Sequence, residues 1–278
     1  MSATFPSSTA SERPASALPL AIGGVLGFLA VLASWAGRVP FVIFVVAVAG
    51  LVAMELTAVA SRRQMRPNGA LLIPAAAVAP LVAFRWGEAG LGVSAGLITP
   101  VILGLFLIGG VRPKVLDSMA ATIFGFLYIG LLGSYSVLLR NLRPGHRLVV
   151  ALILMVAGYH LGRWAGAARL PGPTVVPALR NSTTWGGVAG GVVGSVVFSL
   201  LAALVVPIES GPVSMLLLGL IVGLAAAGGD LAWLLVMGEM GIGPREAAVP
   251  GLGGLLARTS TILVAAPACF YGFKLYLV

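Results

Sequence analysis

Residues 212–237 read PVSMLLLGLIVGLAAAGGDLAWLLVM, a stretch with one charged side chain, Asp230, in 26 positions. A helix rises about 1.5 Å per residue, so this run is long enough to cross a hydrocarbon layer about 30 Å thick. Comparable runs lie at about 17–37, 40–60, 69–84, 90–111, 117–139, 148–162, 185–206 and 255–277. Composition says the same of the whole chain: 59% of its 278 residues are hydrophobic and 9% charged, where soluble domains average about 45–50% and about 25%. Mean hydropathy is +1.07. A soluble enzyme is excluded, and the expected fold is an all-α, polytopic integral membrane protein of about nine transmembrane helices.

Working outward from that run, polar separators mark the helix ends. Arg62-Arg63-Gln64-Met65-Arg66, Arg85 to Glu88, Arg112-Pro113-Lys114 and Arg140 to Arg147 divide the five runs from 40–60 to 148–162 from one another. Leu170-Pro171-Gly172-Pro173 and Pro177 cannot continue a helix, because proline lacks a backbone donor and collides with the preceding turn. Roughly 163–184 is therefore expected as a loop, and Gly238 to Gly254 as a second one. The first 17 residues, rich in Ser, Thr, Ala and Pro, bury too little apolar surface to offset ordering entropy and are expected as a flexible tail. The run that follows is longer than a signal-peptide core and a second run begins at Pro40, so it is expected to be retained. Three regions result: the tail 1–17, N-terminal transmembrane helices over 18–147, and a C-terminal transmembrane region over 148–278.

Counted on alternate sides of nine helices, 11 Lys and Arg fall on the N-terminal side and 5 on the other, with Lys274 inside the last run. The positive-inside rule then places the N-terminus and the loops 163–184 and 238–254 in the cytoplasm, and no targeting segment argues against a bacterial plasma membrane. Arg140, Arg143 and Arg147 run against this count. The net charge of +9 is distributed in short clusters between apolar runs, a pattern of topology signals rather than of a nucleic-acid-binding face. Cys269 is the single cysteine, so there is no internal disulfide, and no Cys/His cluster has zinc-ligand spacing.

Ionisable side chains are expensive in hydrocarbon, so those inside apolar runs mark sites by default. Asp230, behind Gly228-Gly229, is expected to face the bundle interior or a wet cavity, with a cation such as Arg258 as its partner. Glu55 reads equally as an interfacial carboxylate near Arg62 and Arg63 or as a site residue. His160, beside Tyr159 and one turn from Arg163, reads as interfacial, and His146 as a solvated loop residue. Gly186-Gly187 and Gly190-Gly191 read as a face for close helix packing. The backbone N–H groups of Gly251, Gly253 and Gly254 are candidates for binding an anion.

Gly229-Asp230-Leu231, Gly241-Ile242, Pro250-Gly251-Leu252-Gly253-Gly254-Leu255-Leu256-Ala257-Arg258, and Ala266-Pro267 with Phe270-Tyr271 together resemble the signature region of the phosphatidate cytidylyltransferases (CDP-diacylglycerol synthases), with no gap between the blocks. Upstream, Tyr159, Gly162-Arg163 and Gly166 are similar to that family's Tyr-x-x-Gly-Arg segment. Thr184-Trp185 with Gly187, Gly190 and Gly191 is similar to its Lys-Lys-Thr-Trp-Glu-Gly segment. By motif the resemblance covers about 155–278. It implies a membrane enzyme that joins CTP to phosphatidate and releases pyrophosphate, using Mg2+ and cations around the phosphates.

The same matching shows what differs. The family's Glu-Ser after Gly-Asp-Leu-x falls on Trp233-Leu234, its Lys-Arg on Met237-Gly238, its Lys-Asp on Gly243-Pro244 and the His of Pro-Gly-His-Gly-Gly on Leu252. The Asp-Arg-x-Asp falls on Ala257-Arg258-Thr259-Ser260, keeping only Arg258. Upstream, the Asp-Thr-Gly falls on Met155-Val156-Ala157, and the Ser-Pro-Lys-Lys-Thr-Trp-Glu on Arg180 through Gly186. Residues that set the fold match, whereas metal-binding carboxylates and phosphate-binding lysines are replaced mostly by apolar or small ones.

The resemblance with these losses implies a catalytically degenerate relative that retains binding of a lipid or a partner. Asp230 is then the remnant of the catalytic site. Arg163, Arg180 and Arg258, with Gly251, Gly253 and Gly254, are its substrate-binding residues, since guanidinium can grip a phosphate with two parallel hydrogen bonds. Asp230, Glu239 and Glu246 are the carboxylates left to hold a metal. The expected partners are a membrane lipid such as phosphatidate, CTP and Mg2+ if the chain is active, and a second copy or another membrane protein; no nucleic acid is expected. Two alternatives stand beside this reading. One is an active CTP:phosphatidate cytidylyltransferase with an altered metal site. The other is a small-solute transporter, which would show paired interrupted helices in two related halves, whereas the interruptions here lie in the C-terminal third.

Overall fold

The computed structural model describes residues 18–62, 67–110, 114–170, 172–175, 183–204, 211–239 and 254–277. In chain order its elements are α1 (Leu18–Ala36), α2 (Arg38–Arg62), α3 (Gly69–Ile108), α4 (Val115–Gly125), a π-helical turn (Phe126–Leu131), α5 (Leu132–Asn141), α6 (Gly145–Arg169), α7 (Trp185–Ala203), α8 (Gly211–Glu239) and α9 (Leu255–Leu277). Among the described residues there is no strand, only an isolated antiparallel bridge between Thr174 and Thr184. Seven spans among them are long and apolar enough to cross a membrane, and α1 adds a shorter apolar helix over Gly23–Ala36. The chain is an all-α integral membrane protein. Its outer shell is apolar, with Phe28, Leu32, Leu107, Ile108, Val193 and Leu224 exposed as lipid-facing side chains require.

The expected count of nine is not reproduced as nine separate helices, because the runs 69–84 and 90–111 form the single 40-residue element α3. A straight helix of that length would be about 60 Å long, twice the hydrocarbon thickness. It breaks at Gly87, whose φ of 64° and ψ of −148° suit only glycine. A Cβ placed on Gly90 would lie 3.0 Å from the Val82 carbonyl oxygen, although residues eight apart in a straight helix are about 12 Å apart. The chain therefore folds back at the break, and Ile98, Ile102 and Phe106 join the same apolar cluster as Leu72 and Ala76. Glu88, just past the break, forms an ion pair with Lys274 of α9, which accounts for the cation inside the last apolar run.

The loop expected from residue 163 begins only after Arg169, because α6 continues two turns further. The reason is its contact with α7. Gly158, Gly162 and Gly166 on one helix face Gly186, Gly190 and Gly194 on the other. A Cβ on Gly158 would lie 2.6 Å from the Gly194 carbonyl oxygen, and one on Gly190 2.8 Å from the Cα of Gly166. Backbone meets backbone, as small-xxx-small faces permit, and the packing carries α6 through Arg169. Thr184 then caps α7, its hydroxyl accepting from the Gly187 N–H at 3.1 Å, a standard helix N-terminus.

Two apolar cores share α2 and α9. One gathers Phe41, Leu148, Leu152, Met155, Tyr159 and Phe273; the other gathers Leu56, Leu72, Ala76, Phe126, Trp233 and Leu256. Arg140, at the end of α5, donates two hydrogen bonds to the Ser34 carbonyl in the last turn of α1, at 3.0 and 2.8 Å, where a cation complements the helix dipole. His146 is not a solvated loop residue: it lies in the first turn of α6, partly buried, with its ring edge-on to Trp35 at 5.5 Å between centroids.

Candidate functional site

Asp230 lies on α8 about 13 Å before its last residue, Glu239, and is 8% exposed. Arg163 on α6 donates from Nη1 to Asp230 Oδ2 at 2.6 Å. The same oxygen accepts from the Thr183 hydroxyl at 3.4 Å and, in a long contact, from the Tyr159 hydroxyl at 3.5 Å. Arg163 Nη1 also donates to Thr183 Oγ1 at 3.3 Å. The expected partner for Asp230 was Arg258; the structure corrects it to Arg163. Extension of α6 as a helix through Arg169 is what carries Arg163 to the face of α8.

Each member of this group is positioned by local backbone structure. The Tyr159 ring is fully buried against Gly191, where an added Cβ would lie 2.6 Å from its Cε2, so glycine at 191 makes room for the ring whose hydroxyl reaches Asp230. Thr183 is held by a short clip in which Val175 N–H donates to the Thr183 carbonyl at 2.8 Å and Trp185 N–H to the Pro173 carbonyl at 3.2 Å. The sequence reading did not include Thr183; its signal was the Ser182-Thr183-Thr184 run directly before a helix start.

A second tyrosine spans the neighbouring interface. Tyr128, in the π-helical turn, is buried and directs its hydroxyl at two carbonyls, that of Gly229 at 3.3 Å and that of Ser260 at 3.4 Å. A Cβ on Gly229 would lie 2.6 Å from the Ser260 carbonyl oxygen, so α8 and α9 touch at the residue preceding Asp230. The π turn widens the helix by one residue, a device that recurs at functional sites. Nothing in the sequence signalled it.

Arg258 and Glu55 form the flank of the site on α9 and α2. Glu55 is 2% exposed and accepts a hydrogen bond from the Leu256 N–H at 2.8 Å. A carboxylate there satisfies an orphan donor in the first turn of α9 and complements its dipole. Arg258 is half-buried, faces Glu55 electrostatically, and its Nε has no hydrogen-bond partner. Trp233 Nε1, on the next turn of α8 after Asp230, is buried and unpartnered too. His160, read as interfacial, is partly buried, packs edge-on to Tyr159 and lies within the electrostatic reach of Arg163, Asp230 and Arg258. Gly254 precedes α9 with a φ of 77°. Arg180, Glu246, Gly251 and Gly253 lie outside the described residues, as does the side chain of Glu239.

A magnesium site needs near-octahedral oxygen ligation from one or two free carboxylates, waters and substrate phosphates. Among the described residues no three His, Cys, Asp or Glu side chains gather to hold a metal, and Asp230 Oδ2 is engaged by a guanidinium.

Residues 19–276 match the model of the Cytidylyltransferase family, so the chain belongs to that family. It is 28% identical over 266 residues to the phosphatidate cytidylyltransferase of Brucella suis biovar 1 (strain 1330), a match covering 90% of this chain and 89% of that protein. The phosphatidate cytidylyltransferase of Brucella melitensis biotype 1 gives the same figures. The family named by the signature blocks near Asp230 is thus the family of nearly the whole chain.

Proposed function

We propose that this member of the family is catalytically silent and binds an anionic membrane lipid at the end of the bundle that carries Asp230, Arg163 and Arg258. The observation that supports the reading most is the Arg163–Asp230 contact at 2.6 Å. A carboxylate that would have to face a metal is instead neutralised by an arginine of the Tyr-x-x-Gly-Arg segment. Arg258, with an unpartnered Nε, is the guanidinium left to take a phosphate, and Arg180 stays a candidate from the sequence alone. The lipid is of the phosphatidate class, with a phosphate exposed at the headgroup. The membrane is a bacterial plasma membrane, and this end of the bundle faces the cytoplasm, as the majority of the Lys and Arg residues do by the positive-inside rule.

The second reading is an active CTP:phosphatidate cytidylyltransferase, favoured by the extent of the family match and by the names of the two Brucella relatives. Purified protein given labelled CTP, phosphatidate and magnesium separates the two. No label in lipid above a no-protein control is the expected result. Metal-dependent formation of CDP-diacylglycerol would replace the first reading with the second, and Asp230, Glu239 and Glu246 would be the residues to mutate.

A further inference from the structure

Arg140, Arg143 and Arg147, which run against the positive-inside count, lie with Arg38 at the end of the bundle away from Asp230. Arg147 opens α6 about 24 Å along the helix from Arg163, Arg140 closes α5, and Arg38 opens α2. Arg38 and Arg140 are close enough to act on one another, as are Arg140, His146 and Arg147. Among the described residues neither Arg38, Arg143 nor Arg147 is in an ion pair. Arg38 and Arg147 also sit in first turns, where the helix dipole favours anions over cations. Trp35 is 68% exposed beside this cluster, as an aromatic at the membrane–water interface would be.

An apolar cavity begins one turn inside the cluster. It lies between α2, α5, α6 and α9 with α1 at its edge. Its walls start at Phe41, Ser136, Val149 and Ala30. Phe41 is one turn past Arg38, Ser136 one turn before Arg140, Val149 two residues past Arg147, and Ala30 one turn before Ser34, whose carbonyl Arg140 holds. The cavity continues to Val52 and Thr259, a depth along α2 of about 16 Å, which is about one leaflet of hydrocarbon.

A cation cluster without an ion-paired counter-charge among the described residues, one turn from an apolar slot one leaflet deep, has the two halves of a phospholipid's chemistry. We propose that this is a second lipid site. It takes an anionic phospholipid of the leaflet opposite the Asp230 end, its phosphate on Arg38, Arg140 and Arg147 and one acyl chain in the cavity. The site stands apart from the reading of the Asp230 end and holds whether or not the chain has catalytic activity.

The test is native mass spectrometry of the full chain, delipidated in detergent and then offered phosphatidylglycerol and phosphatidylcholine at equal concentration. Wild type should retain one phosphatidylglycerol in preference to phosphatidylcholine. Arg38→Gln with Arg147→Gln should lower that retention by about an order of magnitude or more, whereas Arg38→Lys with Arg147→Lys should keep most of it. Ala30→Phe, which fills the cavity and leaves the charges alone, should also lower it, and millimolar inorganic phosphate should not displace the lipid. A lipid lost on Arg258→Gln belongs to the Asp230 end, and the Arg38 and Arg147 changes should lower retention by the same factor in the Arg258→Gln background. Equal retention of the two lipids, indifference to the Arg38 and Arg147 changes, or disappearance of their effect in the Arg258→Gln background would overturn the proposal, the last by assigning the cavity to the Asp230 end.

Discussion

Arg163 and Asp230, 67 residues apart in the chain, meet through a single guanidinium nitrogen and a single carboxylate oxygen at 2.6 Å. The two ends of the pair differ in solvation: the arginine side chain is 34% exposed and the aspartate 11%. The carboxylate therefore carries most of the desolvation, and losing the arginine strands it, whereas losing the carboxylate leaves an arginine that can still reach water.

Asp230→Asn and Arg163→Gln should accordingly have unequal effects. Partial exposure scales down the value of a fully buried pair, so Arg163→Gln is expected to lower stability by about 1–3 kcal/mol and Asp230→Asn by less. The double variant should be no worse than Arg163→Gln alone. Thermal unfolding in detergent reads all three, and strictly additive losses would show that the two residues are not coupled.

Packing of α6 on α7 leaves no space for side chains at its centre. Gly162→Leu or Gly190→Leu should lower stability by about 1–3 kcal/mol or more through overpacking and broaden the size-exclusion peak in detergent. Gly96→Leu, at a position with open space around it, should do neither. Equal behaviour at positions 96 and 162 would mean that the helices are not in backbone contact.

Glu55 tests whether α9 is capped from another helix. Glu55→Ala removes a charge-assisted acceptor from the Leu256 N–H and should cost about 1–2 kcal/mol, while Glu55→Gln, which keeps an acceptor, should cost less. Hydrogen exchange at the first turn of α9 should quicken in Glu55→Ala. Unchanged exchange there would separate Glu55 from α9.

Cys269 is fully buried, so the wild-type chain should resist a membrane-impermeant maleimide. Single cysteines at Pro173 and at Arg143 should then label from opposite faces of sealed vesicles, Pro173 from the cytoplasmic one. Labelling of both from one face would contradict the arrangement of α6.

The sequence carried Asp230 clearly, because a carboxylate in an apolar run is conspicuous and the signature blocks select the same residue. It did not carry the partner. Arg163 stood beside a proline-rich segment and read as loop, and what keeps it helical is the glycine face of α7, a contact between segments that local propensity does not express. Glu55 stayed ambiguous for the same reason: the amide it caps is 201 residues away. The glycine pairs at 186–187 and 190–191 were legible as a packing face because membrane helices use small residues for little else at that spacing. The turn at Gly87 was legible as a separator from Arg85 and Glu88, but not as a break within one continuous helical element. The π turn at Tyr128 left no trace in a run of ordinary apolar residues.

The order in which the chain is made gives the α6–α7 glycine contact a role in biogenesis. Both helices, and with them Arg163, Thr183 and Tyr159, leave the ribosome before α8. An aspartate in a lone inserting helix costs up to about 2.5–3.5 kcal/mol on translocon-based scales, the upper figure at the helix centre. Here α8 enters beside a hairpin already closed by backbone contact, with a cation and two hydroxyls waiting at the depth of Asp230. The acidic helix is never required to insert alone.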